Sequence, residues 1–250
     1  MKRRLEVRKL GVIGYADALT MQRALVEERR SDRVPDLFLL LQHPPVITVG
    51  VKGDGGRSNI VATPATLEEL GITIEETGRG GDVTYHGPGQ IVGYPILDLR
   101  PDRCDVHRYV RDVEEVMIRV CADYALTAGR ITGLTGTWIG AEKIGAIGIR
   151  ISRWITSHGF AFNVDTNLQH FRLIVPCGIV DRGVTSLARA LGRHISIEEV
   201  EDRFVHHFAD VFDREPIDDQ RHHGGSTTHG AHQENERILH GRARQVTTIA

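Results

Sequence analysis

Short apolar segments alternate along the chain with longer segments whose apolar residues recur at helical spacing. Extended segments are predicted at residues 5–10, 38–41, 46–49, 72–77 and 91–97 and, as three successive strands, between residues 137 and 163. Helices are predicted at residues 15–30, 65–70, 106–124 and 196–212, with a short one from residue 187; Thr63, Asp105 and Ser196 are the predicted N-caps. This order predicts an α/β fold in which mixed sheets are flanked by helices.

The predicted fold ends before the end of the chain. Residues 1–213 contain all the periodic segments and are interpreted as one domain. Residues 214–250 have little apolar periodicity and contain several histidines among glycine, threonine and charged residues. They are predicted to form a disordered tail, and their histidine spacing matches no defined metal site.

Composition and charge narrow the possible partners. The 250 residues are 40% hydrophobic and 26% charged, with a formal net charge of -2 and a pI near 6.7. This balance gives no general attraction to nucleic acid or to a membrane surface, and no segment approaches a membrane span. The three cysteines form neither a disulfide framework nor a metal-binding pair, which is typical of a reducing compartment. We therefore expect a cytoplasmic protein.

Residues 79–90, the glycine-rich segment, concentrate conformationally permissive and polar residues between two apolar strands. Its four glycines allow close backbone approach, and the side chains of Arg79, Thr84, Tyr85 and His86 offer hydrogen-bond donors. The segment is interpreted as a loop that wraps a ligand. The alternative is an ordinary glycine-rich hairpin.

Glycine and alanine also recur on the strands that follow residue 142. Small residues weaken a sheet, so their presence predicts that a ligand or another backbone approaches closely there. A bulged sheet edge is the alternative.

Cys177 lies between Pro176 and Gly178, in a turn that leaves room beside its sulfur for a substrate carbonyl. A thiol with a pKa near 8.5 is only about 3% thiolate at pH 7, so a nucleophilic Cys177 needs a nearby cation or base. Lys143 is the candidate partner, because one positive charge at about 4 Å contributes roughly 4 kcal/mol at an effective dielectric of about 20. The alternative is that Lys143 is a solvated surface lysine. Cys104 and Cys121 are interpreted as incidental and buried cysteines, respectively.

Four segments in this order resemble the lipoyl(octanoyl) transferases, also called the lipoate-protein ligase B family. They are residues 79–90 (RGGDVTYHGPGQ), 143–148 (KIGAIG), 157–163 (SHGFAFN) and 176–179 (PCGI). The resemblance covers roughly residues 5–212. It implies the catalytic fold of the biotin and lipoate protein ligases, with residues 1–213 as the octanoyltransferase domain and no role for the tail.

The resemblance also implies an activity and a set of site residues. The family transfers an octanoyl group from octanoyl-acyl carrier protein to a lysine of lipoyl domains, in 2-oxoacid dehydrogenase E2 subunits and in the glycine cleavage H protein. Cys177 matches its acyl-thioester nucleophile and Lys143 the lysine that activates it. No cofactor and no metal is implied. The matching substrate-binding residues are Arg79, Gly80, Gly81, Asp82, Val83, Thr84, Tyr85, His86, Ala146, Ile147, Gly148, Gly159, Phe160 and Ala161.

Three other functions are compatible with parts of this pattern. An ATP-dependent lipoate or biotin ligase would share the fold but would need no cysteine intermediate. A cysteine acyl-thioesterase would use His86 or His158 as its base and deliver the acyl group to water. A carrier-binding module without catalysis would never form a covalent adduct.

Overall fold

The structure is a computed structural model that describes residues 2–51, 57–175 and 182–218. Eleven strands lie within these residues: β1 Arg3–Val12, β2 Asp36–Gln42, β3 Val46–Val49, β4 Thr73–Glu76, β5 Val83–His86, β6 Gln90–Ile96, β7 Gly129–Ile131, β8 Leu134–Ile139, β9 Glu142–Ser152, β10 Ile155–Asn163 and β11 Arg214–Asp218. The same residues form five α-helices: α1 Tyr15–Arg30, α2 Pro64–Glu69, α3 Val106–Asp123, α4 Leu187–Leu191 and α5 Ile197–Phe212. The predicted α/β class is confirmed.

Side-chain caps fix the starts of four helices. The side chains of Thr63, Asp105, Ser186 and Ser196 each accept a hydrogen bond from a backbone N–H in the first turn of α2, α3, α4 and α5. These contacts satisfy N–H groups that have no partner inside the helix. The predicted caps Thr63, Asp105 and Ser196 are therefore confirmed.

The main sheet has eight strands in the order β11-β1-β2-β6-β10-β9-β8-β7. β1 is parallel to both β11 and β2, whereas the pairs from β2 to β7 are antiparallel. Helices α3 and α5 pack together on one face, where Phe160 and Phe162 of β10 contact Phe204. Helix α1 packs on β6 and β10 from the other face. Both faces of the central strands are covered, which explains the wholly apolar run of β2.

A second sheet of three strands, ordered β4-β3-β5, continues from the main sheet. The chain leaves β2 at His43, crosses two prolines and enters β3, and it returns from β5 to β6 through the turn at Gly87–Gly89. Gln42 Oε1 accepts a hydrogen bond of 2.8 Å from Gly89 N, which ties the two crossings together. The glycine-rich segment thus contains a strand, β5, and is not wholly a loop.

The predicted boundary at residue 213 is wrong. Residues 214–218 form β11, which pairs with β1 in parallel register from Arg3↔Arg214 to Val7↔Asp218. The Arg214 side chain is buried and donates from Nε to Asp36 Oδ2 at 2.8 Å. A short edge strand anchored by one distant ion pair has no apolar periodicity, so the sequence pattern did not reveal it. The remainder of the predicted tail lies outside the described residues.

None of the helices in the described part of the chain combines the length and the apolar character needed to cross a membrane.

Candidate active site

A cavity of about 120 Å³ lies where the two sheets meet. β9 and β10 form one wall, β5 and β6 another, and Tyr15 at the start of α1 closes one end. One water molecule needs about 10–15 Å³ on the same scale. The cavity therefore has room for a group of several heavy atoms.

Small residues line the part of the cavity formed by β9 and β10. Ala161 pairs with Ala146 on one side and with Val92 of β6 on the other, and Gly159 pairs with Gly148 two residues away. Because side chains two apart on a strand lie on the same face of a sheet, these residues form one continuous surface. The surface is apolar and is lined with the smallest side chains.

The glycines on this surface allow other backbone segments to approach. A Cβ at Gly159 would lie 2.1 Å from the carbonyl oxygen of Gly93, and one at Gly148 would lie 3.0 Å from that of Gly80. Gly80 N also donates to Ile149 O at 2.9 Å, which holds the glycine-rich segment against β9. The predicted close approach by another backbone is confirmed. The pairing of β9 with β10 has no register shift, but its pairing with β8 shifts register between Lys143 and Gly145, so a bulge accompanies the close approach.

A chain of hydrogen bonds forms the polar wall of the cavity. Arg79 donates from Nε and Nη2 to Thr48 Oγ1, at 3.2 and 2.9 Å. Thr48 Oγ1 lies 3.4 Å from His86 Nε2, and His86 Nδ1 lies 2.7 Å from Gln90 Oε1. The amide oxygen of Gln90 can only accept, so we assign the His86 proton to Nδ1 and let Thr48 donate to Nε2.

The chain continues from Gln90 toward Lys143. Gln90 Nε2 donates to Asn163 Oδ1 at 2.9 Å, and Asn163 Nδ2 donates to the Thr185 carbonyl at 2.9 Å. Thr185 N in turn donates to the Lys143 carbonyl at 3.0 Å. A single series of hydrogen bonds therefore connects Arg79 in the glycine-rich segment with the backbone at Lys143.

Three histidines around the cavity are held in the neutral form. Burial lowers the pKa of His43 to about 4, that of His158 to about 4 and that of His86 to about 3. For His86 and His158, the positive charge of Arg79 adds to the effect of burial. His43 Nδ1 donates to the Ile13 carbonyl at 2.8 Å, so in the neutral ring Nε2 accepts from Tyr94 Oη at 2.8 Å. At neutral pH these rings act as hydrogen-bonding groups without charge.

His158 differs from the other two histidines in the hydrogen bonding of its ring. The buried Nδ1 has no hydrogen-bond partner among the described residues. Its backbone has a φ of 54°, a left-handed conformation that is uncommon outside glycine, and its N–H donates to Gln22 Oε1 at 2.9 Å. Strained backbone together with an unpaired buried nitrogen is typical of a functional position.

Lys143 lies at the other end of the cavity, at the start of β9. Its Nζ is 4.7 Å from the centroid of the buried Trp138 ring, and its backbone forms a bridge with Val184. Cys177 lies outside the described residues. The segment that contains it leaves the described structure after Val175 and re-enters at Arg182, two residues before Val184, which lines the cavity.

The structure brings most of the predicted substrate-binding residues to one cavity. Those that line it are Arg79, Gly81, Val83, Thr84, His86, Ala146, Ile147, Gly148, Gly159, Phe160 and Ala161, together with Lys143. Gly80 contacts β9, Asp82 accepts from Asn59 at 2.5 Å, and the Tyr85 hydroxyl contacts His170 at 2.7 Å, so these three lie beside the cavity. Their roles, like those of Lys143 and Cys177, stay predictions.

Other residues of the cavity are not among the predicted substrate-binding residues, although Gln90 and Asn163 lie in segments that the sequence analysis singled out. Tyr15, Gln90, Tyr94 and Asn163 line the cavity, and Thr48 lies behind it. A polar residue on an otherwise apolar strand is a signal that could have indicated Gln90 and Tyr94 on β6. The described residues include no group of three histidine, cysteine or acidic side chains placed to hold a metal ion.

Comparison with known proteins identifies the family. The model of the lipoyl protein ligase A/B catalytic domain family matches residues 14–209. Octanoyltransferases of Desulforamulus reducens and Solibacter usitatus are 50% and 53% identical, over 87% and 84% of this chain and 96% and 94% of their own. The chain belongs to the octanoyltransferase family. It is therefore an acyltransferase of the lipoylation pathway. The Myxococcus xanthus octanoyltransferase is 51% identical, and this chain spans 61% of its length.

Solved structures with the same fold are more distant in sequence. A bipartite lipoate protein ligase of Thermoplasma acidophilum has a TM-score of 0.66 at 17% identity, covering 88% of this chain and 87% of its own. The lipoate-bound LipL1 of P. falciparum has a TM-score of 0.63 at 9% identity, covering 84% of this chain and 60% of its own. At such identities the likeness concerns the fold alone, and it confirms the predicted ligase-like fold of this octanoyltransferase.

Proposed function

We propose that the chain transfers an octanoyl group from octanoyl-acyl carrier protein to a lysine of lipoyl domains, in the cytosol, through a thioester on Cys177. The observation that carries the proposal is the position of Lys143 at the end of a cavity lined by small residues. The segment containing Cys177 re-enters the described structure at Arg182, two residues before Val184, which lines the same cavity. The family membership supports the acyl group, and the donor, the acceptor and the intermediate are our inference.

The small-residue surface suits an alkyl chain. An octanoyl group has about seven carbons beyond its carbonyl, and burial of each methylene contributes about 0.8 kcal/mol. Ala146 and Ala161 leave this space open, whereas Gly148 and Gly159 admit the backbone of Gly80 and Gly93. Larger residues in place of Ala146 or Ala161 would shorten the acyl chain that fits.

The first half-reaction forms the acyl-enzyme. The Cys177 thiolate attacks the thioester carbonyl, the bond to the carrier sulfur breaks, and the departing thiolate takes a proton from the Lys143 ammonium. Lys143 is then neutral and Cys177 carries the octanoyl group. The positive charge of Lys143 before this step would also lower the pKa of the Cys177 thiol.

The second half-reaction releases the octanoyl group to the acceptor. The neutral amine of the acceptor lysine attacks the Cys177 thioester, Lys143 takes the proton that the amine loses, and the Cys177 thiolate leaves. The product is an amide, and the thiolate–ammonium pair is restored. The oxyanion needs donors. Arg79 and His86 already bond to Thr48 and Gln90, so backbone N–H groups near Cys177 are the stronger candidates.

Intact-protein mass after mixing with octanoyl-acyl carrier protein, without ATP, tests the proposal. Wild type is expected to gain one octanoyl group that hydroxylamine removes. Cys177→Ser should lose the thioester adduct, and Lys143→Ala should form it more slowly. Cys104→Ser is the matched control, because Cys104 is exposed and is not part of the cavity lining, and it should acylate like wild type.

Two results would contradict the proposal. If the lipoyl domain gains mass only when ATP is added and the enzyme never does, the chain acts as a ligase. If the adduct forms but free octanoate appears in place of the acylated lipoyl domain, the chain is a thioesterase. A lipoyl domain whose acceptor lysine is replaced by arginine identifies the residue that receives the acyl group.

A further inference from the structure

A second concavity, of about 330 Å³, lies beside the candidate active site. Phe171 and Val184 line both spaces, so the two are neighbours across a shared wall. Three arginines border the second space, Arg172, Arg182 and Arg189, and we call it the basic groove. Val175 also lines it, so it lies next to the segment that contains Cys177.

The basic groove has an excess of positive charge. Arg189 Nη2 donates to Glu142 Oε1 at 2.9 Å, so this pair is neutral. Arg172 and Arg182 form no ion pair with a carboxylate among the described residues. Among the described residues that line it, the groove thus has two arginines without a carboxylate partner, on a chain whose formal net charge is -2. Such a local reversal of sign indicates an anionic partner.

Arg182 is also positioned toward the catalytic lysine. Its Cζ lies 5.7 Å from the centroid of the Trp138 ring, and Lys143 Nζ lies 4.7 Å from the same centroid. Both contacts are in the range of cation–π attraction. The two charges are therefore within about one Debye length of each other at 0.1 M salt. An anion bound in the groove would lie next to the reacting end of the cavity.

We propose that the basic groove binds the anionic end of the donor carrier protein, that is, the phosphate of its thioester-bearing arm and the carboxylates around it. The inference rests on the proposed function, which requires a carrier thioester to reach Lys143. The acceptor is the poorer occupant, because it approaches with a lysine, whose cation these two arginines repel. The groove therefore distinguishes the donor from the acceptor by the sign of charge.

Binding measurements without an acyl group test the groove separately from the chemistry. Fluorescence anisotropy gives the Kd of holo-acyl carrier protein for wild type and for the double variant Arg172→Glu/Arg182→Glu. We expect the Kd to rise by at least about ten-fold and its salt dependence to flatten. A milder double variant, Arg172→Gln/Arg182→Gln, should give an intermediate Kd, and its thermal unfolding should match that of wild type.

Arg33→Glu is the matched charge-reversal control. Arg33 is exposed and follows the C-terminal end of α1. Tyr15, which lines the cavity, is at the N-terminal end of the same helix, and the two ends are about 24 Å apart. Its Kd for holo-carrier should stay within about two-fold of that of wild type. If Arg33→Glu weakens binding as much as the groove variants do, only net charge matters and the inference is wrong.

The lipoyl domain and the apo-carrier complete the test. A groove variant that loses affinity for the lipoyl domain but keeps its affinity for holo-carrier would overturn the inference. If the groove variants lose affinity only for holo-carrier, the arginines contact the phosphate of its arm. If they lose affinity equally for apo-carrier, the arginines contact carboxylates of the carrier. Both outcomes place the donor in the groove and support the inference. Wild type that binds holo-carrier through these arginines but forms no octanoyl adduct would contradict the proposed function and support the groove.

Discussion

Two clusters of buried polar side chains lie at opposite ends of α1 and β2, and they are built differently. At one end, buried Asp36 accepts from Arg29 at 2.8 Å, Arg3 at 3.0 Å, Arg214 at 2.8 Å and the Asp98 backbone at 3.0 Å. Oδ1 accepts three of these hydrogen bonds, and Oδ2 accepts the one from Arg214. At the other end, the polar wall of the cavity consists mainly of uncharged groups and leaves His158 Nδ1 without a described partner.

The difference separates a structural cluster from a functional one. The Asp36 cluster is charged and has no cavity residue among its members, so it fixes the positions of β1, β2 and β11. The cavity cluster lowers the pKa of its histidines, and two of them, His86 and His158, line the cavity. Burial of polar groups alone would have suggested a site at both ends. Each cluster contains a buried nitrogen without a described partner, Arg214 Nη2 and His158 Nδ1, so the charge of the groups and the presence of a cavity distinguish them.

The largest expected effect is on the Asp36 cluster. Asp36→Ala should lower the free energy of unfolding by about 3–5 kcal/mol, because it leaves buried guanidinium groups without their carboxylate. Activity per folded molecule should remain near that of wild type. Urea unfolding at 25 °C, with transfer assays on the folded fraction, measures both quantities.

Asp210→Ala is the control for Asp36→Ala, since it removes an exposed carboxylate from its pair with Arg119. Asp210→Ala should lower the free energy of unfolding by less than about 1 kcal/mol. A comparable loss of stability in the two variants, or a loss of activity in folded Asp36→Ala, would mean that the Asp36 cluster is not the structural one.

A change in the cavity wall should affect activity more than stability. Gln90→Leu keeps the size of the side chain but removes the link between His86 and Asn163. We expect a stability loss of about 1–3 kcal/mol from the unpaired groups. Transfer activity should fall by about 10- to 100-fold, because His86 and Asn163 lose their fixed positions.

Thr20→Val makes a similar polar-to-apolar change on the exposed face of α1 and should alter neither quantity measurably. Steady-state transfer and urea unfolding on the same preparations compare the two variants. Full activity in Gln90→Leu would show that the hydrogen-bonded chain from Arg79 to Thr185 has no part in the reaction.

The smallest predicted effect concerns pH. The pKa of buried His43 is about 4, below the 6.5 of a free histidine, so between these values the unfolded chain binds a proton that the folded chain does not. Stability contributed by neutral His43 is present above pH 6.5 and is lost as the pH falls toward 4. His43→Gln should therefore reduce the slope of unfolding free energy against pH by up to about 1.4 kcal/mol per pH unit near pH 5.

Urea unfolding between pH 7 and pH 4.5 measures this slope. His107→Gln, on an exposed part of α3, is the matched control and should leave the slope as it is in wild type. Identical slopes in wild type and His43→Gln would show that His43 titrates alike in the folded and unfolded states, and the cavity cluster would then not be a neutral one.

The sequence by itself determined the local structure and the composition of the site. Periodicity and capping residues located the helices, including α1 at residues 15–30 and the starts of α3 and α5. These signals suffice because a helix depends on contacts three or four residues apart. The pattern of glycine and alanine likewise predicted close approach on β9 and β10, since a strand alternates faces with a period of two.

Only the tertiary structure decided which distant residues meet. Arg214 pairs with Asp36 across 178 positions, and this contact turns part of the predicted tail into β11. Gln90 joins His86 to Asn163, and Trp138 lies against both Lys143 and Arg182. Such contacts depend on the order of strands in a sheet and on the crossing between two sheets. Neither leaves a signal in the local sequence, because the residues that meet are far apart along the chain. Closing the long loop between them costs conformational entropy that only the complete fold offsets.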